Sequence, residues 1–322
     1  MKFNRFLAIV LCAFSVLTLC SCGSENAESK KRIAVIAKAV DSDFWHNVKN
    51  GVESAATEYN VSVTFDGPEN EEDYAAQNEM IEQAVSDGVD AIVISAIDYT
   101  KSTEAVNNAV RHGVKVVTID SDLESDMVSL FIGTDNEEAG KEAGKAATDG
   151  FAAEAEIYIG LVNYNANTEN GRQREIGFKE YVDSVPNAHI VAEVTADSNT
   201  ESATAGAVEL LRNNPQINVL VGFNEWMTLG VGNAIKQLSL ADKVRGIGFD
   251  TNVISVGMIE TGEMDALIVQ NPFAIGYLGI QKASALISGE SFDEHDIYTS
   301  VTTVNKNNLF DDEIQKMLFR FK

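Results

Sequence analysis

The sequence predicts an α/β protein of two Rossmann-like units with parallel sheets, set one after the other along the chain. Three observations predict it. Short β-rich apolar runs alternate with amphipathic helical patterns from Lys31 almost to the C-terminus, the rhythm of βαβ units. The chain has 322 residues, a length that suits two domains, and the alternation starts afresh near residue 137. Runs such as Ile33–Ile36 are apolar without a break, as expected of strands covered on both faces. Two similar units in succession suggest lobes facing each other across a central cleft.

The first unit begins with the strand at Ile33–Ile36 and a polar loop in which Asp41, Ser42 and Asp43 are candidate N-caps. Phe44, Val48, Val52, Ala55, Ala56 and Tyr59 follow at helical spacing. Then come a strand at 61–65, a helix at 73–86, a strand at 91–94 and a helix near 102–111 stopped by Gly113. Strands at 114–119 and 130–133 complete this half. In the second half, helices are expected at 137–151, 171–183, 200–213, 227–238, 254–260 and 274–287. The strands between them fall at 157–162, 190–195, 219–223, 244–249 and 266–269, with a last one at 298–304.

The formal net charge is −25, and no Lys/Arg-rich stripe occurs. A nucleic-acid partner needs such a footprint to neutralise phosphates, so none is expected. There is no GxxxxGK[ST] loop, no GxSxG elbow and no GxGxxG after a strand. Gly230-Val231-Gly232 lacks a third glycine and sits inside a helical pattern. The four histidines share no metal spacing. The expectation is a protein that is not an enzyme and has no cofactor and no metal.

Residues 1–21 read as a signal peptide: Lys2 and Arg5 precede an apolar run from Phe6 to Leu19 that is too short for an ordinary membrane span. Leu19-Cys20-Ser21-Cys22 resembles a bacterial lipobox, which implies lipidation of Cys22 and a lipid anchor. The polar stretch 22–31 would be the tether. All three cysteines (Cys12, Cys20, Cys22) lie in this leader, so the rest of the chain must be held by its core.

Candidate function gathers at strand ends. Ser95 follows AIVI, Asp120 follows VVTI, Asn224 follows VLVGF, Asp250 follows GIGF and Gln270 follows ALIV. In open parallel sheets ligands bind at the carboxyl edges of the strands. Phe44 and Trp45 stand at such an edge too. Carboxylates and amides exchange hydrogen bonds with sugar hydroxyls, while an aromatic face covers the apolar side of the ring. The alternative is that strand-end Asp and Asn cap the next helix.

The segments AKAVDSDFW, VVTIDSD, FIGTDNEEAGKEAGK, GRQREIGFKEY, VGFNEWMTLGVGNAIK, VRGIGFD and LIVQNPFAIGYLGI resemble the sugar-binding proteins of bacterial ABC importers. This ribose-binding-like group is related to the ligand domains of LacI-type repressors. The resemblance implies a periplasmic binding protein fold of type I, hinged to close on one sugar. It implies chain crossings near Thr134-Asp135, Gln270-Asn271 and 293–297. The N-terminal sugar-binding lobe would then be 32–134 plus 271–293, and the C-terminal lobe 135–270 plus 294–322.

Phe44 and Trp45 match the family's stacking aromatics. Asp120, Arg172, Asn224, Asp250 and Gln270 match its polar ligands, Arg172 having an ordinary surface salt bridge as its alternative. Lys38, Ser42, Ser95, Ser121 and Ser198 stand where ribose binders carry other residues, which implies a different or larger ligand than ribose. Lys38 is either a ligand contact or a hinge-side salt bridge.

The expected partners are a monosaccharide or small polyol and an ABC permease complex, the chain itself being a monomer outside the cytoplasm. A second reading is a sensing protein that presents a sugar or an autoinducer-like ligand to a sensor kinase or chemoreceptor. A repressor is disfavoured because a secretion leader replaces the DNA-binding helices. A hydrolase is disfavoured because the cleft shows no recognisable nucleophile.

Overall fold

The computed structural model describes residues 30–164 and 167–318. The leader, Cys22 and most of the tether lie outside the described residues. Apolar runs become strands: β1 (Arg32–Ile36), β2 (Ser62–Asp66), β3 (Ala91–Ile94), β4 (Lys115–Ile119), β5 (Leu130–Thr134), β6 (Ile157–Asn163), β7 (Ala188–Thr195), β8 (Val219–Gly222), β9 (Arg245–Phe249), β10 (Ala266–Val269), β11 (Asp296–Thr299) and β12 (Thr302–Asn305). Ten helices accompany them among the described residues: α1 (Asp43–Glu58), α2 (Tyr74–Ser86), α3 (Thr103–Arg111), α4 (Asn136–Thr148), α5 (Glu169–Asp183), α6 (Thr200–Asn213), α7 (Glu225–Gln237), α8 (Val253–Thr261), α9 (Pro272–Ile287) and α10 (Asp312–Leu318).

Two six-stranded sheets result. The first runs β11-β5-β4-β3-β1-β2 and is parallel throughout. The second runs β12-β10-β9-β8-β6-β7, with only β12 antiparallel. Apart from that last strand, the two orders are the same pattern used twice. One apolar core fills the second lobe, and two cores cover the faces of the first sheet. Lys31–Lys322 forms a compact unit by itself that holds all three.

The helices start where the sequence offers a short polar side chain. Ser42, Asp73, Asp135, Asn199, Asn224, Asn252 and Asn271 each accept an N–H of the first turn they precede, relieving donors with no intrahelical partner. A close approach seats α5 on α4: a Cβ at Gly140 would collide with the Arg174 carbonyl, and one at Gly177 with that of Glu137. This contact brings the start of α5 to the cleft.

The chain passes between sheets where β5 leads into α4 and where β10 leads into α9, whose apolar face joins the first lobe's core. The third passage differs from expectation. Residues 298–304 read as one strand, with a crossing placed at 293–297, but they are two strands on different sheets. β11 pairs with β5 in the first sheet, β12 pairs with β10 in the second, and Ser300-Val301 joins them. A β-rich run has the same periodicity whether or not it changes sheet, so the pattern could not show the break.

Candidate functional site

The carboxyl ends of both sheets face one polar pocket between the lobes, the edge at which open parallel sheets bind ligands. The first lobe supplies a preassembled wall. Phe44 and Trp45 stand edge to face with centroids 5.1 Å apart. The Trp45 indole N–H donates to Glu71 Oε1 at 3.0 Å, and Ser42 fixes the same residue's backbone N–H. Behind them lies buried Gln77, which donates to the carbonyls of Ala37 and Ser95 and accepts from Ile97 N–H. That one amide ties the loops after β1 and β3 together.

At the end of β4, Asp120 is held in the left-handed region at φ 58°, a conformation Asp tolerates better than most residues. Its carboxylate meets Lys38 Nζ at 3.2 Å and accepts from Ser95 Oγ at 2.8 Å. Burial works against the charge on Lys38, but Asp120 and Glu71 overcome it and hold the ammonium protonated well beyond the ordinary lysine range. Lys38 lines the cavity and is ion-paired there.

The second lobe repeats the device and leaves it less complete. Asp250, at the end of β9, is again left-handed at φ 63°. Its carboxylate accepts from Gln270 Nε2 at 2.7 Å, while Gln270 Oε1 accepts from Thr134 Oγ at 2.7 Å. Burial pushes the Asp250 carboxyl up despite Arg174 and Gln270. Arg174 is almost wholly buried. Its Nε donates to Asn136, Nη1 donates to the Phe223 carbonyl, and the guanidinium stacks 4.7 Å from the Phe249 ring centroid. Among the described residues its Nη2 has no hydrogen-bond partner, nor has Asn224 Nδ2, although Asn224 Oδ1 caps α7.

The structure brings Lys38, Ser42, Phe44, Trp45, Asp120, Asn224, Asp250 and Gln270 to the cavity. Three expected residues are not among its lining. Ser95 stands one layer behind, donating to Asp120. Ser121 is buried beyond the left-handed turn at Asp120, which carries the chain past the cavity. Arg172 is half exposed and pairs with Glu169, and the arginine in the lining is Arg174. Two positions on a helix differ by about 200°, so only one of these arginines can face the cleft, and Asn170, one turn before Arg174, shares its face.

Sequence reasoning also missed Glu71, Tyr164, Asn170 and Glu225 in the lining. Asn170 could have been found by that one-turn spacing. Glu71 gave no signal, being one acid among several in a loop. Among the described residues no cluster of His, Cys, Asp or Glu could hold a metal, and no helix is long and apolar enough to cross a membrane.

Two matching α/β lobes joined by three passages around a polar pocket define a two-lobed solute-binding protein. Residues 33–291 match the periplasmic binding protein domain, and the chain belongs to that family, a family of binding proteins and not of enzymes. It is 26% identical over 297 residues to a D-ribose/D-allose-binding protein of Pseudomonas aeruginosa, covering 90% of this chain and 92% of that one. Among solved structures it resembles a carbohydrate-transporter solute-binding protein of Agrobacterium radiobacter in complex with D-arabinose: TM-score 0.87, 29% identity, 91% of this chain and 100% of that one. It also resembles an ABC-transporter solute-binding protein of Agrobacterium vitis with bound D-fucose: TM-score 0.85, 33% identity, 89% and 100% covered.

Proposed function

We propose that this protein captures a monosaccharide or small polyol by closure of its two lobes and delivers it to an ABC permease. One observation carries the reading. The buried donors Arg174 Nη2 and Asn224 Nδ2 have no partner among the described residues, and these two residues line the same cavity as Asp120, Asp250 and Phe44. A hydroxyl oxygen accepts from the first set while its proton goes to the second, and a ring's C–H face suits the aromatic. The relatives that bind ribose, allose, arabinose and fucose agree with this chemistry.

Lys38, paired with Asp120, replaces the small hydroxyl residue of a ribose binder. The preferred sugar is therefore expected to differ from ribose. A lipid at Cys22 would hold the protein, as a monomer, at the outer face of the membrane, with the two sugar-binding lobes swinging about the three passages. Trp45 and Trp226 are the chain's two tryptophans, and both line the cavity. A sugar panel read by intrinsic fluorescence and thermal shift tests the reading directly. Saturable quenching or enhancement is expected, with about 2.7 kcal/mol of stabilisation at roughly 100 times Kd. A panel of sugars and polyols that leaves both signals flat refutes it. Lipid retained on the Cys22→Ala protein would overturn the anchor at Cys22.

A further inference from the structure

We infer that Glu225 is the closing latch of this binding protein: a positioning residue that caps helix α1 from the opposite lobe and sets ligand affinity by holding the lobes together. The first-turn N–H groups of a helix have no intrahelical partner. In α1, Ser42 takes the N–H of Trp45 from within the first lobe. The N–H of Phe44 is taken instead by Glu225 Oε2, from the second lobe, at 3.3 Å. The other carboxylate oxygen accepts from Asn252 Nδ2 at 2.9 Å, and Asn252 is itself fixed by its reciprocal capping box with Ser255. The second lobe thus holds Glu225 in place, and the first lobe supplies the helix end it meets. Negative charge at a helix N-terminus is also favoured by the helix dipole.

The bond spans the cleft, so it exists only when the lobes are closed. It meets a backbone N–H, so it does not depend on which sugar is bound. A second bridge at the rim has the same chemistry: Glu72 Oε1 accepts the backbone N–H of Ser198 at 2.7 Å. Both bridges place a carboxylate of one lobe on the main chain of the other. Affinity then has two sources, the sugar contacts and these sugar-independent links. The inference rests on the binding reading above for its ligand, and on geometry alone for the closure.

The test uses the compact unit from Lys31 onward, which has no cysteine, carrying spin labels at Asn50→Cys and Ile254→Cys, one exposed position on each lobe. Inter-label distances are measured with and without the sugar found in the panel, in the parent, in Glu225→Ala and in Glu225→Gln. The glutamine keeps an oxygen for the Phe44 N–H. Glu225→Ala is expected to shrink the closed population and to weaken affinity roughly 10- to 100-fold, mostly through faster release. Glu225→Gln is expected to restore both to within a few-fold. Identical distance distributions in the three proteins overturn the latch. So does an alanine variant that loses affinity but closes normally, since Glu225 would then act on the sugar. If no sugar binds the parent, the transport reading falls, while the ligand-free distances still decide the latch.

Discussion

The two walls of the cleft follow one plan to different degrees of completion. On the first lobe, each polar group of the wall already has a protein partner: Lys38 with Asp120, Asp120 with Ser95, Glu71 with Trp45. On the second, Asp250 and Gln270 satisfy each other, but Arg174 and Asn224 each keep a buried donor without a partner among the described residues. A buried donor left unpaired costs about 1–3 kcal/mol. The difference implies a division of labour. The first wall is rigid enough to recognise a sugar before closure, and the second gains most when the sugar arrives.

The comparison breaks most visibly at Asp120. Asp120→Ala would leave Lys38 buried without its carboxylate, and such losses run to about 3–5 kcal/mol. Urea unfolding should show it, and a loss below about 1 kcal/mol would mean that the first wall is not held by this pair. On the second wall, Arg174→Met is expected to lower sugar affinity by about 2–3 kcal/mol through loss of charge-assisted hydrogen bonds. Arg172→Met should leave affinity nearly unchanged, and titration calorimetry with the reverse ranking would restore Arg172 to the site. Gly177→Ala, which forces α5 off α4, should cost about 1–3 kcal/mol of stability by overpacking and weaken binding through Arg174. Unchanged melting and affinity would show that α5 can shift freely.

The smallest expected effect is on pH. Burial, aided by Asp250 and Asp43 and opposed by Asn252 and the Phe44 N–H, pushes the Glu225 carboxyl up to about 7 from 4.5. A raised carboxyl binds a proton more readily in the closed form than in the open one. Closure is therefore favoured as pH falls, and the advantage is lost as pH rises through 7. Burial also pushes Glu71 and Asp250 up, giving the same sign. Affinity should strengthen on the order of tenfold from pH 8 to pH 6, and the Glu225 part of that change should vanish in Glu225→Gln. A profile that rises with pH would contradict it.

Most of the fold was legible because strand and helix periods are local. Asp120, Asn224, Asp250 and Gln270 were legible because each ends an apolar run, and strand ends in parallel sheets converge. What could not be read depends on direction or distance. The choice between Arg172 and Arg174 turns on which face of α5 meets the cleft, and the Gly140 and Gly177 contacts with α4 fix that face. Gln77 could not be singled out, because nothing in its neighbourhood shows that two carbonyls and an N–H await it inside. Glu225 reads as an ordinary first-turn acid until α1 approaches from the other lobe. The change of sheet at Ser300-Val301 is invisible to any pattern of alternation.

Asp120 and Asp250 stand at matching places in the two lobes, both left-handed, and each donates its N–H to the strand that follows in the sheet, Asp120 to Ile132 and Asp250 to Ile268. A backbone of this kind is easier for glycine or asparagine. A lineage of this protein selected for heat resistance alone would therefore drift toward those residues at Asp250, whereas Lys38, buried against Asp120, keeps that carboxylate in place for stability. Such a lineage would become a sturdier molecule that has forgotten its cargo.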